Sequence, residues 1–276
     1  MEKTKKPLIT VIVAVFNGDG TLQECISSIA RQTYTNKELI IIDGGSKDGT
    51  VNLLKTNSNY INYWVSEPDK GIYNAWNKGL LHSTGEWVCF IGADDFFWDS
   101  NVLEQMSKQL AKLPIDIRVA YGQTMLLNED GKKLYPIGEP WYKIKKRFRQ
   151  VMCIPHSGAM HRRSLLEQFG GFDESFRIAG DYDLLMRELK TFDAAFIPNL
   201  ITTGMRQGGI SSKPANGLLA MREMRRVQKL HGQSLPGLAW IMTTTKVYIR
   251  LLLWRWLGED LTRKVIDKYK NIGLRV

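Results

Sequence analysis

Apolar and polar positions along the first half of the chain predict strands and helices in alternation. Short runs rich in β-branched residues end in turns that contain Gly, Asn or Asp, as buried strands do. Between these runs, apolar residues recur three and four positions apart, as at Leu22, Ile26 and Ile29. The predicted order is strand 8–16, helix 21–32, strand 38–43, helix 50–57, strand 61–67, helix 73–83, strand 86–92 and helix 101–112. This order predicts an α/β fold, a Rossmann-like layer whose mainly parallel sheet is flanked by helices.

The pattern changes in the second half. Residues 119–138 predict a hairpin around Glu129-Asp130-Gly131, residues 181–191 have helical spacing, and the chain is helical in pattern from Ala215 onward. We therefore predict two domains, a mixed α/β domain over residues 1–214 and a basic, amphipathic helical extension over residues 215–276.

Residues 235–257 form the longest apolar segment of the extension. Lys246, Arg250 and Arg255 interrupt it, and a charge at the centre of a bilayer is costly, so a membrane span is disfavoured. The segment is also rich in Trp and Tyr, which favour membrane interfaces. Two interpretations stay open: an amphipathic element lying on a membrane surface, or helices packed on this protein's own core or on a partner.

The N-terminus and the cysteines both indicate the cytoplasm. The apolar run after the basic N-terminal residues is short, β-branched and without a small-residue cleavage site, so it predicts a buried strand rather than an export signal. Cys25, Cys89 and Cys153 are far apart and odd in number. This spacing predicts reduced thiols rather than a disulfide framework or a metal site.

The formal net charge of +10 restricts the partners. It suits nucleic acid, an anionic membrane surface or a phosphorylated substrate. Basic residues concentrate at 143–149 and beyond residue 222, and aromatic residues interleave with them only near 142–148 and 248–256. A nucleic-acid-binding module would need such interleaving on one exposed face, and it would leave the acidic residues described next without a role.

Polar and acidic residues follow each of the four predicted parallel strands. They are Asn17 after the first strand, Asp43 after the second, Glu67 to Lys70 after the third, and Asp94 with Asp95 after the fourth. A single acid at such a place is often a helix cap or a turn former. Because the carboxyl ends of parallel strands meet at one edge, four such groups predict a shared ligand site.

The adjacent carboxylates of Asp94 and Asp95 predict a divalent cation. They repel each other in an apolar setting unless a cation lies between them, and oxygen ligands with a diphosphate suit Mg²⁺ or Mn²⁺. The sequence has no His/Cys cluster for zinc, no GxxxxGK[ST] loop and no GxGxxG after the first strand. These features disfavour P-loop and dinucleotide chemistry.

Five segments carry a resemblance to a known family. They are TVIVAVFN (10–17), IIDGGSKDGT (41–50), SEPDKGIYNAWNKG (66–79), GEWVCFIGADD (85–95) and AGDYDLLMR (179–187). In this order, over about residues 8–190, they resemble the family 2 glycosyltransferases, which have the GT-A fold. The resemblance is closest to bacterial enzymes of O-antigen, capsule and exopolysaccharide synthesis.

The resemblance implies a nucleotide-sugar site at these segments. Its residues would be Ala14 and Phe16 at the base, Asn17 beside them, Asp43 in the turn that faces the base, Asp69 and Lys70 lining the cleft, and Asp94 at the ribose or donor sugar. Asp95 would be the metal ligand at the family's DxD-type motif. Gly92 stands where many relatives carry a further Asp, which alters the usual spacing of the motif. Gly44 is likewise Asp in many relatives, which affects the detail of base recognition.

The resemblance also implies the catalytic base and two further contacts. Asp181 matches the base, although its position alone would predict a helix cap. His156 falls where some members place a histidine near the diphosphate, and His161 is expected at the surface. Arg206 begins a Gly-rich stretch that could close over the donor, and its guanidinium could grip the diphosphate.

The sequence thus predicts an inverting, metal-dependent glycosyltransferase. It would move a hexose or acetamidohexose from a nucleoside-diphosphate sugar, with UDP the expected nucleotide, to a glycan or polyprenyl-linked acceptor. The expected location is the cytoplasmic face of the inner membrane, with peripheral contact and no nucleic-acid partner. A sugar-nucleotide nucleotidyltransferase is the alternative enzyme, but its usual basic loop after the first strand is here NGDGTLQE, without Lys or Arg. The nucleic-acid-binding module is the non-catalytic alternative.

Overall fold

The structure is a computed structural model that describes residues 6–128, 130–207 and 214–271. Within these residues the chain forms nine strands and nine α-helices. The strands are β1 (Ile9–Val15), β2 (Lys37–Asp43), β3 (Tyr63–Ser66), β4 (Trp87–Gly92), β5 (Asp95–Phe97), β6 (Val119–Leu127), β7 (Lys133–Ile137), β8 (Met160–Arg162) and β9 (Ala195–Arg206). The helices are α1 (Leu22–Ala30), α2 (Thr50–Thr56), α3 (Ile72–His82), α4 (Val102–Leu110), α5 (Trp141–Phe148), α6 (Arg163–Phe169), α7 (Gly180–Leu189), α8 (Pro214–Leu230) and α9 (Leu238–Asn271).

The described strands form one mixed sheet in the order β3-β2-β1-β4-β8-β6-β9-β5, with β7 paired to β6. Strands β3, β2, β1 and β4 run parallel. Strand β8 runs antiparallel between β4 and β6, and β5 runs antiparallel to β9. The predicted α/β fold with a mainly parallel first half and a mixed second half is therefore confirmed.

Two apolar layers cover the faces of the sheet because side chains alternate along each strand. All seven residues of β1 are buried. Ile12 faces a core that includes residues of α3 and α7, and Val11 and Val13 face the opposite core, which includes residues of α1 and α4. Burial on both faces explains why the first strands are almost continuously apolar in sequence.

Strand β8 was not predicted, and it corrects the expected position of His161. We expected this histidine at the surface, but it is fully buried. It lies opposite Val88 of β4 and Val119 of β6 in the middle of the sheet. The strand has only three residues, which is too short for a recognisable alternating pattern.

The basic extension packs on the α/β part through α8. Val227 of α8 belongs to the same apolar core as Tyr182 of α7, and Trp240 of α9 donates its Nε1–H to the carbonyl of Met221 at 2.9 Å. Helix α9 is broken at Gly258, whose φ of 75° is left-handed. Among the described residues, no helix is long and apolar enough to cross a bilayer. The division at residue 214 stays a prediction.

Candidate active site

The four parallel strands bring their carboxyl ends to one edge of the sheet, as predicted. In the ladder, Asp43 lies opposite Val15 on one side and Ser66 on the other, and Ala14 lies opposite Gly92. The loops that follow these strands therefore begin side by side.

Hydrogen bonds tie the first two loops together. The Asn17 N–H donates to Ser46 Oγ at 2.7 Å, and the Lys47 N–H donates back to Asn17 Oδ1 at 2.9 Å. Asn17 has a φ of 50°, a conformation that Asn tolerates better than most residues. Phe16 is left 63% exposed next to the buried Ala14. An exposed aromatic ring on a fixed turn is a suitable surface for a planar base.

Asp43 lies inside the protein at this edge. It is fully buried, and its carboxylate accepts hydrogen bonds from the Ser46 N–H at 3.0 Å, the Ser46 hydroxyl, and the Ser66 hydroxyl at 2.5 Å. These bonds fix the turn after β2 and connect it to β3. Its predicted contact with the nucleotide base stays a prediction.

Asp69 occupies the space above Gly44. A Cβ atom on Gly44 would lie 2.4 Å from Asp69 Oδ2, so an Asp at position 44 and the present Asp69 could not both keep these positions. The other oxygen of Asp69 accepts the Gly71 N–H at 2.8 Å. The neighbouring Lys70 is exposed. The third loop thus brings the carboxylate of Asp69 close to the turn after β2.

Gly92 likewise leaves space that a neighbouring carboxylate occupies. A Cβ atom there would lie 2.5 Å from Asp94 Oδ1 and 3.8 Å from Asp95 Oδ2. The glycine therefore leaves the two carboxylates room to turn back over the end of β4. Burial raises the pKa of Asp94, and burial together with the charge of Asp94 raises the pKa of Asp95 to about 8.

Arg206 is the cation nearest to this pair in the hydrogen-bond network. One guanidinium nitrogen donates to the backbone carbonyl of Asp94 at 3.0 Å, and another forms an ion pair with Glu24. Its charge opposes the rise in the pKa of both Asp94 and Asp95. Arg206 thus supports the turn that carries Asp94 and Asp95. Its binding to a diphosphate stays a prediction. The Gly-rich stretch 208–213, expected to close over the donor, lies outside the described residues.

The turn that carries Asp94 and Asp95 fits a divalent cation with few protein ligands. Asp95 Oδ1 is buried and has no hydrogen-bond partner among the described residues, and an unpaired buried carboxylate oxygen is costly. Hard oxygen donors suit Mg²⁺ or Mn²⁺. No group of three or more His, Cys, Asp or Glu converges in the described part of the chain. Such a cation would therefore take its remaining ligands from water and a diphosphate.

Asp181 lies in the first turn of α7, beside Tyr73 in the first turn of α3. Its Oδ1 accepts the Tyr182 N–H at 2.7 Å and lies 3.4 Å from the Tyr73 hydroxyl, which donates to the carbonyl of Ile178 at 2.5 Å. Burial raises the pKa of Asp181 to about 6. A carboxyl group with this pKa can accept a proton near neutral pH.

His156 lies in an aromatic cluster that connects these regions. Its ring stacks on Phe90 of β4 and contacts Trp76 of α3 at 5.3 Å, and Trp76 contacts Tyr73 at 5.7 Å. Burial, with the neighbouring His161, holds the pKa of His156 well below its ordinary value, so the ring is neutral. Its buried Nε2 has no partner among the described residues.

Two residues near Asp181 were missed at the level of sequence. Tyr73 lies within the segment SEPDKGIYNAWNKG, where only Asp69 and Lys70 attracted attention. Glu223 of α8 accepts backbone N–H groups from residues 177–179, immediately before α7. Its position in a helix beyond the recognisable segments gave no signal.

Comparison with known proteins shows the family of this chain. Residues 10–170, more than half of the 276-residue chain, match the family described as glycosyl transferase family 2. Uncharacterized glycosyltransferase Rv1514c of Mycobacterium tuberculosis H37Rv is 30% identical over 234 residues, which are 83% of this chain and 86% of that protein. The PGL/p-HBAD biosynthesis glycosyltransferase of Mycobacterium bovis BCG is 28% identical over 185 residues, which are 66% of this chain and 69% of that protein.

Solved structures with low sequence identity share the fold. Staphylococcus aureus TarS 1–349, crystallised with UDP-GlcNAc, has a TM-score of 0.62 and 17% identity, covering 79% of this chain and 66% of that one. The mannosyltransferase PcManGT of Pyrobaculum calidifontis, in complex with GDP-Man and Mn²⁺, has a TM-score of 0.63 and 18% identity, covering 98% and 81%. The chain therefore belongs to glycosyltransferase family 2 and is a glycosyltransferase enzyme with the GT-A fold.

Proposed function

We propose that this enzyme is an inverting, metal-dependent transferase that uses a nucleoside-diphosphate sugar. The observation that carries the proposal is that two acidic sites lie on different elements of the fold. Asp94 and Asp95 follow β4, and Asp181, whose pKa burial raises to about 6, lies in the first turn of α7. Inversion needs one base on the acceptor side of the sugar and charge stabilisation on the leaving-group side. Family membership favours sugar transfer over nucleotidyl transfer and nucleic-acid binding.

The proposed reaction proceeds as follows at the residues of this chain. The acceptor hydroxyl loses its proton to Asp181 as its oxygen forms a bond to the anomeric carbon. The bond from that carbon to the diphosphate oxygen breaks, and the nucleoside diphosphate leaves with the bonding electrons. Configuration inverts because attack and departure occur on opposite faces of the sugar. Asp181 then returns its proton to solvent.

The donor site is proposed along the strand ends. Phe16 and Ala14 would contact the base, with Asn17 and Asp43 holding the turns beside it. Asp69 and Lys70 would line the cleft, Asp94 would contact the ribose or sugar, and His156 and Arg206 would lie towards the diphosphate. The UDP-GlcNAc complex of TarS and the GDP-Man complex of PcManGT support a nucleotide-sugar donor. UDP remains our proposed nucleotide.

Mg²⁺ or Mn²⁺ is proposed at Asp95. The unpaired buried oxygen of Asp95 supports this assignment, as does the Mn²⁺ in the PcManGT complex. When bound, the cation supplies charge neutralisation for the departing diphosphate.

The acceptor is proposed to be a growing glycan or a polyprenyl-linked sugar of cell-surface polysaccharide synthesis. The residues 143–149 and the helices α8 and α9 are rich in Lys and Arg, which attract anionic lipid headgroups. We place the enzyme in the cytoplasm, in peripheral contact with the inner membrane.

Replacing the base should separate chemistry from donor binding. In Asp181→Asn we expect kcat to fall by about 10²- to 10⁴-fold, because the amide cannot accept the acceptor proton. Donor Kd should stay within about twofold, since the base faces the acceptor. A thermal-shift screen of UDP-, GDP- and dTDP-sugars with Mn²⁺ selects the donor. Calorimetry then measures the Kd of that donor. Transfer of labelled sugar to a membrane lipid extract measures kcat. Asp116→Asn, an exposed residue away from the site, is the matched control. An equal loss of donor affinity in Asp181→Asn contradicts the assignment.

Activity should depend on pH through the same carboxyl group. Burial raises the folded-state pKa of Asp181 to about 6, so the base is ionised above that pH and protonated below it. We expect kcat/KM to fall tenfold per pH unit below about pH 6. The groups that face Asp181 are the Tyr73 hydroxyl and the Glu223 carboxylate; the nearby Asp183 is paired with Arg187 and His231. A midpoint near pH 4, the ordinary value for Asp, would show that the carboxyl group is not desolvated.

Removing the proposed metal ligand should abolish the metal dependence of donor binding. For the wild type we expect Mn²⁺ to tighten donor binding by about tenfold or more over EDTA, which corresponds to about 1.4 kcal/mol. For Asp95→Ala the Kd values in the two buffers should agree within about twofold. Calorimetric titration with the selected donor measures both values, and Asp116→Ala is the control. If Asp95→Ala keeps the full Mn²⁺ effect, Asp95 is not a ligand.

A further inference from the structure

Helix α9 is apolar on two opposite faces. Its inner face packs on α8, where Trp240 donates to the Met221 carbonyl and Val247 lies against Gly217. Trp240 and Val247 are seven positions apart, about two helical turns, so they lie on the same face of the helix. Covering one apolar face is the ordinary way in which a helix joins a domain.

The outer face of α9 has no cover within the described residues. The side chains that form it recur every three, four or seven positions and are each at least 45% exposed. They are Leu238, Ile241, Met242, Ile249, Leu252 and Trp256. This apolar stripe is about 30 Å long on a 20-residue helix. Single exposed apolar residues are normal on a protein surface, whereas a continuous exposed stripe marks an interaction site.

Cations border this stripe, and they outnumber acids along α8 and the part of α9 before Gly258. Lys246, Arg250 and Arg255 lie on α9 beside the stripe. Arg222, Arg225, Arg226 and Lys229 line the concavity of about 400 Å³ on α8. Between residues 214 and 258 the sequence has seven Lys and Arg and one acid, Glu223, and that acid is buried. The charge pattern is complementary to an anionic surface.

We propose that the outer face of α9 lies flat in the interface of an anionic lipid bilayer, with Lys246, Arg250 and Arg255 of the same helix at the headgroups. A helix with an apolar stripe, bordering cations and interfacial Trp and Tyr has this mode of binding. The inference deepens the proposed peripheral location, because it names the surface that makes the contact. It does not depend on the transfer chemistry.

Vesicle binding by the full-length protein tests the proposal. We expect cosedimentation with phosphatidylcholine vesicles that contain 30% phosphatidylglycerol. Binding to pure phosphatidylcholine should be at least about tenfold weaker, as should binding to the anionic vesicles in 0.5 M NaCl. Ile249→Glu/Leu252→Glu should lose binding by about tenfold or more. Leu81→Glu, which changes an 84%-exposed leucine on α3, is the matched control and should bind as the wild type does.

Two outcomes overturn this proposal. One is equal vesicle binding by Ile249→Glu/Leu252→Glu and the wild type, with both folded by circular dichroism. The other is a dimer in light scattering that the double variant converts to monomer while vesicle binding is absent throughout, because the stripe would then join two copies of the chain.

Glu223 of α8 makes a separate set of contacts, with the backbone just before α7. This buried carboxylate accepts three consecutive backbone N–H groups, from Arg177 at 2.9 Å, Ile178 at 2.8 Å and Ala179 at 2.9 Å. Ala179 is the residue before α7, and Asp181 is two residues further on. The segment is also held from α3, since Tyr73 donates to the carbonyl of Ile178.

We infer that Glu223 is a positioning residue for the proposed base. Three N–H groups on one short segment need an acceptor, and an unpaired buried N–H is costly. Glu223 therefore fixes the backbone from which Asp181 projects, while Tyr73 fixes it from the other side. A base displaced by about 1 Å loses much of its effect on rate. This inference rests on the proposed role of Asp181.

Kinetics of Glu223→Gln in the full-length enzyme test this role. The amide has one acceptor oxygen in place of two, so at least one N–H loses its partner. We expect kcat to fall by about tenfold or more with donor Kd within about twofold. The acid limb of the pH profile should move to lower pH, because Glu223 is a negative charge that raises the pKa of Asp181. Glu223→Asp keeps the charge and should keep the limb near that of the wild type. Glu167→Gln, on the exposed surface of α6, is the control.

The outcomes separate this inference from the proposed function. An unchanged kcat and an unchanged acid limb in Glu223→Gln overturn the role of Glu223 alone. A wild-type profile without an acid limb near pH 6 overturns the assignment of Asp181, and the role of Glu223 with it. Loss of donor binding in both Glu223→Gln and Glu223→Asp makes Glu223 a general structural residue and also overturns the inference.

Discussion

The parallel register of β1, β2, β3 and β4 is the constraint on which the site depends. It places Val15, Asp43 and Ser66 side by side and Ala14 beside Gly92, so that polar residues far apart in sequence begin their loops at one edge. Continuous apolar burial on both faces fixes that register, since a slip of one residue would exchange the two faces of a strand. The chemistry of the edge follows from the packing of the core.

The carboxylates at this edge have divided roles. Asp43 is fully engaged by Ser46 and Ser66 and holds two loops together. Asp95 is buried with an oxygen that no described group satisfies, and Asp181 is desolvated on a separate helix. A carboxylate that burial desolvates, or that keeps an oxygen without a protein partner, is the kind that takes up a proton or a cation. Local environment, rather than residue type, therefore distinguishes the supporting acid from the two proposed to act on the donor and acceptor.

Sequence patterns predicted the parallel half of the fold better than the mixed half. The apolar runs of β1, β2 and β4 were located to within about two residues because burial on both faces leaves a strong signal. The three-residue β8 left none, and His161 was misplaced with it. Motifs predicted Asp95 and Asp181, but not the supporting contact of Glu223, because a bond between distant helices has no local pattern. The space above Gly44 and Gly92, filled by Asp69 and Asp94, was likewise visible only in three dimensions.

The contact between Glu223 and residues 177–179 has a consequence for biosynthesis. A ribosome delivers the chain from its N-terminus, so all four parallel strands and α7 are made while α8 is still missing. Until about 45 further residues have been added, three backbone N–H groups before α7 lack their acceptor. The nascent protein can thus bury most of its sheet early, yet it completes the support of α7 only when α8 has been made and folds back onto it.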